Sequence, residues 1–492
     1  MGLANEVLIG LAAGTSQIRA VAFAPDGEEL GHAAAEIAVH HVADGGVEQD
    51  LGDAWQAAAA ALRALAARVP GLAARTVALA ITGPGGGAWL IDDDGDPVAR
   101  AWLPADRRAA PLVERWRRLG IGSEVRAITG SAATPEHTSA QLAAMAERCP
   151  ALLDHAATAL QGKDWLYFCC TEERATDPAS AATAFGDCRT GAYDLRVLEL
   201  LRLPELARLL PETVDGTRAH GELTGAAAAA TGLIAGTPVI LGPIDLIAAA
   251  LAAGLLQPGL RLGCSILEGG GCHVRAAPSK LSGTSLEVAA VLPFAAHWFE
   301  MARGPAPVDR EWLIGLAAQL LADAGLIGIG RTELVAILER KAAAAAPATL
   351  RLHQGAPSAD LGGAAGLLGI SGATTIYDLL RAIYEGEGGA ARDCYGALGG
   401  RLEEIRVAGD GAHSTLARRI LAACVGAPVR VLRRETPAAA GAALVAAVAL
   451  GHHRDFADRT GWVGPHLGDL EPVDRDLEAI YAELPAQAPA AS

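Results

Sequence analysis

A lone aspartate, Asp245, closes the run Pro238-Val-Ile-Leu-Gly-Pro-Ile and is followed by an apolar, alanine-rich stretch. A carboxylate set among Gly, Pro and aliphatic side chains costs free energy unless it has a partner or a task. Two readings stand side by side: a catalytic base at the end of a buried strand, or the cap of the helix that follows. Three glycine turns accompany it. Gly10-Leu-Ala-Ala-Gly14-Thr15-Ser16 joins two apolar runs. Its backbone N–H groups and two hydroxyls suit an anion-binding concavity, or an ordinary hairpin. Gly269-Gly270-Gly271 has the same setting after the apolar run 260–267. Gly409-Asp410-Gly411-Ala412-His413-Ser414 lies between a strand pattern and a helix pattern. It reads either as a seat for the ribose or adenine of a nucleotide or as a plain βα loop.

Other motifs are excluded by context. No GxxxxGK[ST] occurs, so there is no P-loop. Thr82-Gly-Pro-Gly-Gly-Gly-Ala88 fits G-x-G-x-x-A, but Trp89-Leu-Ile-Asp-Asp-Asp-Gly-Asp-Pro97 follows where a dinucleotide site needs a helix. The acidic cluster Asp92, Asp93, Asp94 and Asp96 has its glycine misplaced for a calcium loop, and Leu103 at the twelfth position. It is a solvated turn.

The elements that must position these residues alternate. Val7-Leu-Ile-Gly-Leu11 and the run 18–23 read as strands, with Pro25-Asp26-Gly27 turning the chain after them. Asp53 is a candidate cap for a helix carrying Trp55, Leu62, Leu65 and Val69 at helical spacing. Residues 77–82 form another strand, and strand and helix patterns keep alternating, which makes the class α/β. A strand, a glycine turn and a strand open each half, so a duplicated fold with a ligand cleft between the halves is expected. The uncharged stretch 223–244 is broken by Gly and Pro and reads as buried strand and turn, not a membrane span. The Ala-rich segment 303–366 reads only as helical.

Composition narrows the partners. With 492 residues two domains are expected, and a formal net charge of -16 repels nucleic acid and anionic lipid alike. Any anionic ligand must therefore be held locally. The eight Cys show no CxxC or zinc spacing and read as reduced thiols, and the N-terminus has no basic leader, so a cytoplasmic location is expected.

In order and spacing these segments resemble the FGGY carbohydrate kinases, closest to the branch of the erythritol and L-xylulose kinases. Further stretches that carry the resemblance are Gly46-Val-Glu-Gln-Asp50, Ala101-Trp-Leu-Pro-Ala-Asp-Arg-Arg, Asp164-Trp-Leu-Tyr-Phe168, Ala175-Thr-Asp177 and Ala391-Arg-Asp-Cys-Tyr395. The resemblance implies two actin-like, ribonuclease H-like domains, residues 1–252 on the sugar side and 253–492 on the nucleotide side, with a cleft between them. It implies ATP-dependent phosphorylation of a small sugar or polyol, with ATP and Mg2+ as cofactors and Asp245 as general base. Gly14, Thr15 and Ser16, with Gly269, Gly270 and Gly271, fall at the phosphate loops. Gly409, Asp410, Gly411, Ala412 and Ser414 fall at the adenosine loop, and Gly85, Gly86, Asp106 and Asp245 at the sugar. No protein metal ligand is expected, and a homodimer is left open.

The chain departs from that pattern where chemistry is expected. Ala12 stands where the family keeps an Asp beside the phosphates, Glu268 and Gly270 alter the second loop, and Pro84 replaces a usual Gln. These departures set the alternative expectation: an impaired or non-catalytic relative that binds sugar or nucleotide as a sensor.

Overall fold

The computed structural model describes residues 5–267, 271–277, 289–304, 310–326, 328–353, 366–399, 401–457 and 461–484. The apolar start of the chain forms strand β1 (Val7–Ala13), which turns at Gly14 and pairs antiparallel with β2 (Gln17–Phe23). Strand β3 (Glu29–Glu36) continues the meander. Helix α1 (Leu51–Arg68) then crosses over to β4 (Thr76–Gly83), parallel to β1. The cap of α1 is Asp50, whose carboxylate accepts from the Asp53 N–H at 3.1 Å, three residues earlier than the sequence suggested. After a long insertion, which includes helix α2 (Gly162–Thr171) and the short edge strand β5 (Gly221–Glu222), β6 (Pro238–Ile244) pairs parallel with β4. The sheet order is β5-β6-β4-β1-β2-β3.

Helix α3 (Asp245–Ala252) leads into the second half, where the pairings repeat. Strand β7 (Leu262–Ile266) is antiparallel to β8 (Cys272–Ala276). Strand β9 (Ala289–Phe294) forms the far edge, and β10 (His297–Arg303) lies between it and β8. Helix α4 (Ile376–Leu398) precedes β11 (Glu404–Ala408), parallel to β7. Helix α5 (Thr415–Val425), the parallel strand β12 (Val429–Leu432), helix α6 (Pro437–Ala449) and the antiparallel edge strand β13 (Leu467–Glu471) complete it. The order β9-β10-β8-β7-β11-β12-β13 contains the same antiparallel, antiparallel, parallel, parallel pattern around β7 that surrounds β1. The duplication expected from two glycine turns is thus a duplicated sheet.

Helices α3 and α6 join the halves. Both are rich in Ala and buried nearly all round, as expected of helices enclosed by sheets. One buried apolar cluster runs from Leu8, Phe23 and Ile240 of the first sheet, through Ile247 and Leu444, to Cys264 and Val274 of the second. Small residues permit the crossing. A Cβ on Gly441 of α6 would lie 1.8 Å from the Ala248 carbonyl oxygen of α3, and one on Gly10 of β1 would lie 2.0 Å from the Ala439 oxygen.

Two expectations about secondary structure are corrected. Stretch 223–244 holds a short helix, Gly225–Thr231, capped by the Thr224 hydroxyl, before its strand begins. Segment 303–366 contains two helices, Arg310–Asp323 and Arg331–Ala344, but also strand Arg351–His353, paired with Gly366–Leu368. Ala-rich composition favours helix, and the pairing of two three-residue strands leaves no periodic signal to read. Among the described residues no helix is long and apolar enough to cross a membrane. All eight cysteines are free thiols, six of them buried.

Candidate active site

The parallel strands of each half bring their carboxyl ends to one edge, where ligands of open α/β sheets bind. In the first half Ala12 pairs with Thr82, and Gly83 pairs with Ile244. Asp245 follows directly. Its placement has a local cause: Pro243 lacks an N–H, the ladder loses register between Leu241 and Ile244, and the Thr82 hydroxyl donates to the Pro243 carbonyl at 2.6 Å. Asp245 is half-buried and opens helix α3, where the helix dipole favours negative charge. The cap position belongs to Ile244, and Asp245 is the first helical residue after it.

In the second half Ile266 pairs with Ala408, and Gly409 follows in a left-handed conformation (φ 86°) that a glycine adopts without strain. A cleft of about 520 Å³ lies between these edges. Its walls include Ala12, Gly14, Ser16, Gly83, Asp245, Gly409 and Asp410. A second cavity of about 320 Å³ shares Asp245 and Gly409 and adds Gly271, Cys272 and Arg303. Pro437 and Ala438, the first residues of α6, border both. The structure therefore brings Asp245 together with one turn from each sheet.

The other candidates divide. Gly14, Thr15 and Ser16 are exposed on the β1–β2 turn, where Gly14 N–H donates to the Gln17 oxygen at 3.0 Å. The Thr15 carbonyl accepts from Gln49 Nε2 at 2.8 Å, a contact the sequence did not suggest. Gly86 lines a small apolar recess of about 30 Å³ with Thr15, Pro84, Trp89 and Pro104, and donates its N–H to Gln161 Oε1. Gly85 packs on Ile244, one residue from Asp245. Asp106 is at 0% exposure, and its carboxylate accepts from the Val47 and Arg108 N–H groups and from the Arg108 guanidinium. It organises its loop from within and is not among the residues lining the cleft. Gly411 and Ala412 are buried behind Gly409 and Asp410, while Ser414 caps α5 by accepting from Ala417 N–H at 3.1 Å. Gly271 lies at the cavity wall; Glu268, Gly269 and Gly270 lie outside the described residues.

Arginines not singled out by the sequence also reach this region. Arg434 lines the cleft while donating to the Gly27 and Trp462 carbonyls, and burial lowers its pKa to about 10. Arg303 extends from β10 to Glu136 of the first half at 3.0 Å. No periodicity marks either: Arg303 is placed by strand pairing with Cys272, and Arg434 lies in the connection after β12.

Two ribonuclease H-like sheets facing across a cleft define an actin-like, two-domain α/β protein. Two family models match the chain: the N-terminal domain of the FGGY family of carbohydrate kinases over residues 7–252, and its C-terminal domain over residues 311–450. The chain is 39% identical over 497 residues to the erythritol kinase of Brucella abortus (strain 2308), covering 98% of this chain and 94% of that one. It is 28% identical to the L-xylulose/3-keto-L-gulonate kinase of Escherichia coli (strain K12), over 51% of each chain. The solved xylulose kinase from Rhodospirillum rubrum superposes with a TM-score of 0.82 at 24% identity, covering 97% of this chain and 96% of that one. This chain belongs to the FGGY family of carbohydrate kinases.

Proposed function

We propose that this carbohydrate kinase transfers the γ-phosphoryl group of ATP to a hydroxyl of a small polyol or ketose of the erythritol or pentulose kind. The observation that carries the reading is Asp245, at the carboxyl edge of the first sheet, in a cleft whose far wall is the Gly409–Asp410 turn. In the step, the Asp245 carboxylate takes the proton of the attacking hydroxyl as the O–Pγ bond forms. The bond between Pγ and the β-phosphate oxygen breaks, and ADP leaves with that electron pair. A positioned base of this kind contributes about 10²–10⁴-fold in rate. The exposed turn at Thr15 and Ser16 and Gly271 offer backbone donors for phosphate oxygens, and Gly86 lines the recess on the sugar side, with Gly85 against Ile244.

Magnesium supplies charge neutralisation at the phosphates when bound. The residues here do not form a cage for it. Among the described residues no group of three or more His, Cys, Asp or Glu side chains converges, and Ala12 gives the cleft wall a methyl group. An ion carried in on the nucleotide with water ligands of its own would need no such cage.

A coupled ADP-release assay over tetritols, pentitols and ketopentoses tests the reading. Turnover with one of these classes is expected, with kcat falling about 10²–10⁴-fold in Asp245→Asn at unchanged thermal unfolding. A folded protein silent on the whole panel, or an Asp245→Asn variant within about threefold of wild type, would overturn it. Ala12 supports a second reading, an impaired relative that binds nucleotide without efficient turnover. Calorimetric nucleotide binding without ADP release selects that reading, and Ala12→Asp then raises the rate.

A further inference from the structure

Arg303 ends strand β10, and its Nη1 donates to both carboxylate oxygens of Glu136, at 3.0 and 3.3 Å. The pair joins the two halves across the mouth of the cleft. The Glu136 end is anchored on the sugar side, because the Gly87 N–H donates to the Glu136 carbonyl at 3.0 Å. The Arg303 end lines the cavity that Asp245, Gly271 and Gly409 also line, so the guanidinium shares one space with the proposed base and the glycine turns of the nucleotide half.

Its present partner is replaceable. The Arg303 side chain is 57% exposed and Glu136 31%, and an ion pair that open to solvent contributes little. Phosphate oxygens carry more charge than a carboxylate and accept a guanidinium fork bidentately, which makes the stronger bond. Of the other arginines at the cleft, Arg19 bonds Gln17 and the Glu435 carbonyl; Arg434 lies over the Phe23 and Trp462 rings and bonds the Gly27 and Trp462 carbonyls through Nη2, its Nε and Nη1 being buried without a hydrogen-bond partner.

We propose, resting on the kinase reading above, that Arg303 is a catalytic residue of this cleft: it leaves Glu136 and engages the phosphoryl group in flight between nucleotide and sugar. The guanidinium donates N–H bonds to the non-bridging oxygens of that group and neither gains nor loses a proton. Glu136 holds it at the mouth until the nucleotide arrives, so acid and phosphate compete for one cation.

Competition sets the test apart from a simple tie between domains. Arg303→Met, Arg303→Lys and Glu136→Gln are compared with wild type for kcat, for KM of ATP, and for affinities of ATP and ADP by calorimetry, with thermal unfolding as the folding check. Arg303→Met is expected to lower kcat about 10²–10³-fold and to cut the ratio of ATP to ADP affinity about tenfold, with Arg303→Lys between it and wild type. Glu136→Gln moves the other way, tightening ATP. A structural tie would make Arg303→Met and Glu136→Gln alike, and that result overturns the proposal. So does an Arg303→Met variant that keeps the wild-type affinity ratio. If wild type itself shows no turnover, the kinase reading fails by that measurement, while the affinity ratio still decides whether Arg303 meets the terminal phosphate.

Discussion

Replacing Gly441 by Ala tests the link between helix packing and chemistry. A Cβ there would sit 1.8 Å from the Ala248 oxygen, 2.3 Å from its carbonyl carbon and 2.8 Å from its Cα. Ordinary contact begins near 3.4 Å, so α3 and α6 must part by about 1.6 Å. Backbone is the obstacle, and no side chain can rotate away to relieve it. Overpacking of this kind costs about 1–3 kcal/mol, and the better helix propensity of Ala returns about 1 kcal/mol. The net loss of stability is therefore small, about 0–2 kcal/mol. The catalytic loss is larger, since Ala248 lies within one turn of Asp245 and the displaced helix carries that carboxylate. A misplacement of about 1 Å costs on the order of 10²-fold in rate. Gly396, on the exposed side of α4 with nothing within 4 Å of its would-be Cβ, is the control. Gly396→Ala should stabilise by about 0.5–1 kcal/mol without touching kcat. Urea unfolding and ADP release measure both quantities. If Gly441→Ala stabilises as Gly396→Ala does and keeps kcat within about threefold, the account of α3 and α6 is wrong.

Other outcomes follow from buried groups. Lys163, at 0% exposure, is paired with Asp164 and, at 2.7 Å, with Asp177, so Lys163→Met strands two buried carboxylates and should cost about 3–5 kcal/mol in urea unfolding; a cost under about 1 kcal/mol would refute the pairing as described. Burial pushes the His273 imidazole down to about 4, where Ser265 and Tyr395 hydroxyls complete a buried network. The unfolded chain, with an ordinary value near 6.5, takes up the proton first, so stability falls as pH drops from about 6.5 towards 4, by at most about 3 kcal/mol. His273→Asn should flatten that limb of the stability profile, and an unchanged slope would show that other groups set it.

The sequence made the frame of the fold readable where local signals agree with tertiary demands. Val7 to Leu11 is apolar throughout because β1 is covered on both faces, and the Gly14 turn follows at once. The partner unit around β7 showed the same order for the same reason. Legibility ended where two local solutions were equally good. Asp50 and Asp53 can each cap a helix, and the choice of Asp50 extends α1 so that Leu51, at 1% exposure, enters the core. Ser414 is readable as part of a glycine loop, but not as the cap of α5, which it forms by accepting from the Ala417 N–H. Asp106 is readable as an acid, but its pairing with Arg108, two positions later, shows only in the folded chain. Arg303 gave no signal at all, since its meaning comes from Glu136, distant in the chain.

A net charge of -16 and the proposed phosphate site are reconciled by where the backbone dipoles point. Helices α3 and α6 both begin at the cleft, Asp245 opening one and Pro437 the other. Each contributes partial positive charge at its first turn, and these fields add where the two ends converge. Convergence requires the helices to cross at backbone contact, which bulky side chains would forbid. Ala and Gly along α3 and α6 are thus the condition for the site as well as for the core. The global field, screened within about 8–10 Å in salt, is weak at the floor of such a cleft, whereas the helix ends and the glycine turns act within a few ångströms. Local donors therefore decide the binding of anions, and the acidic surface decides only what approaches from afar.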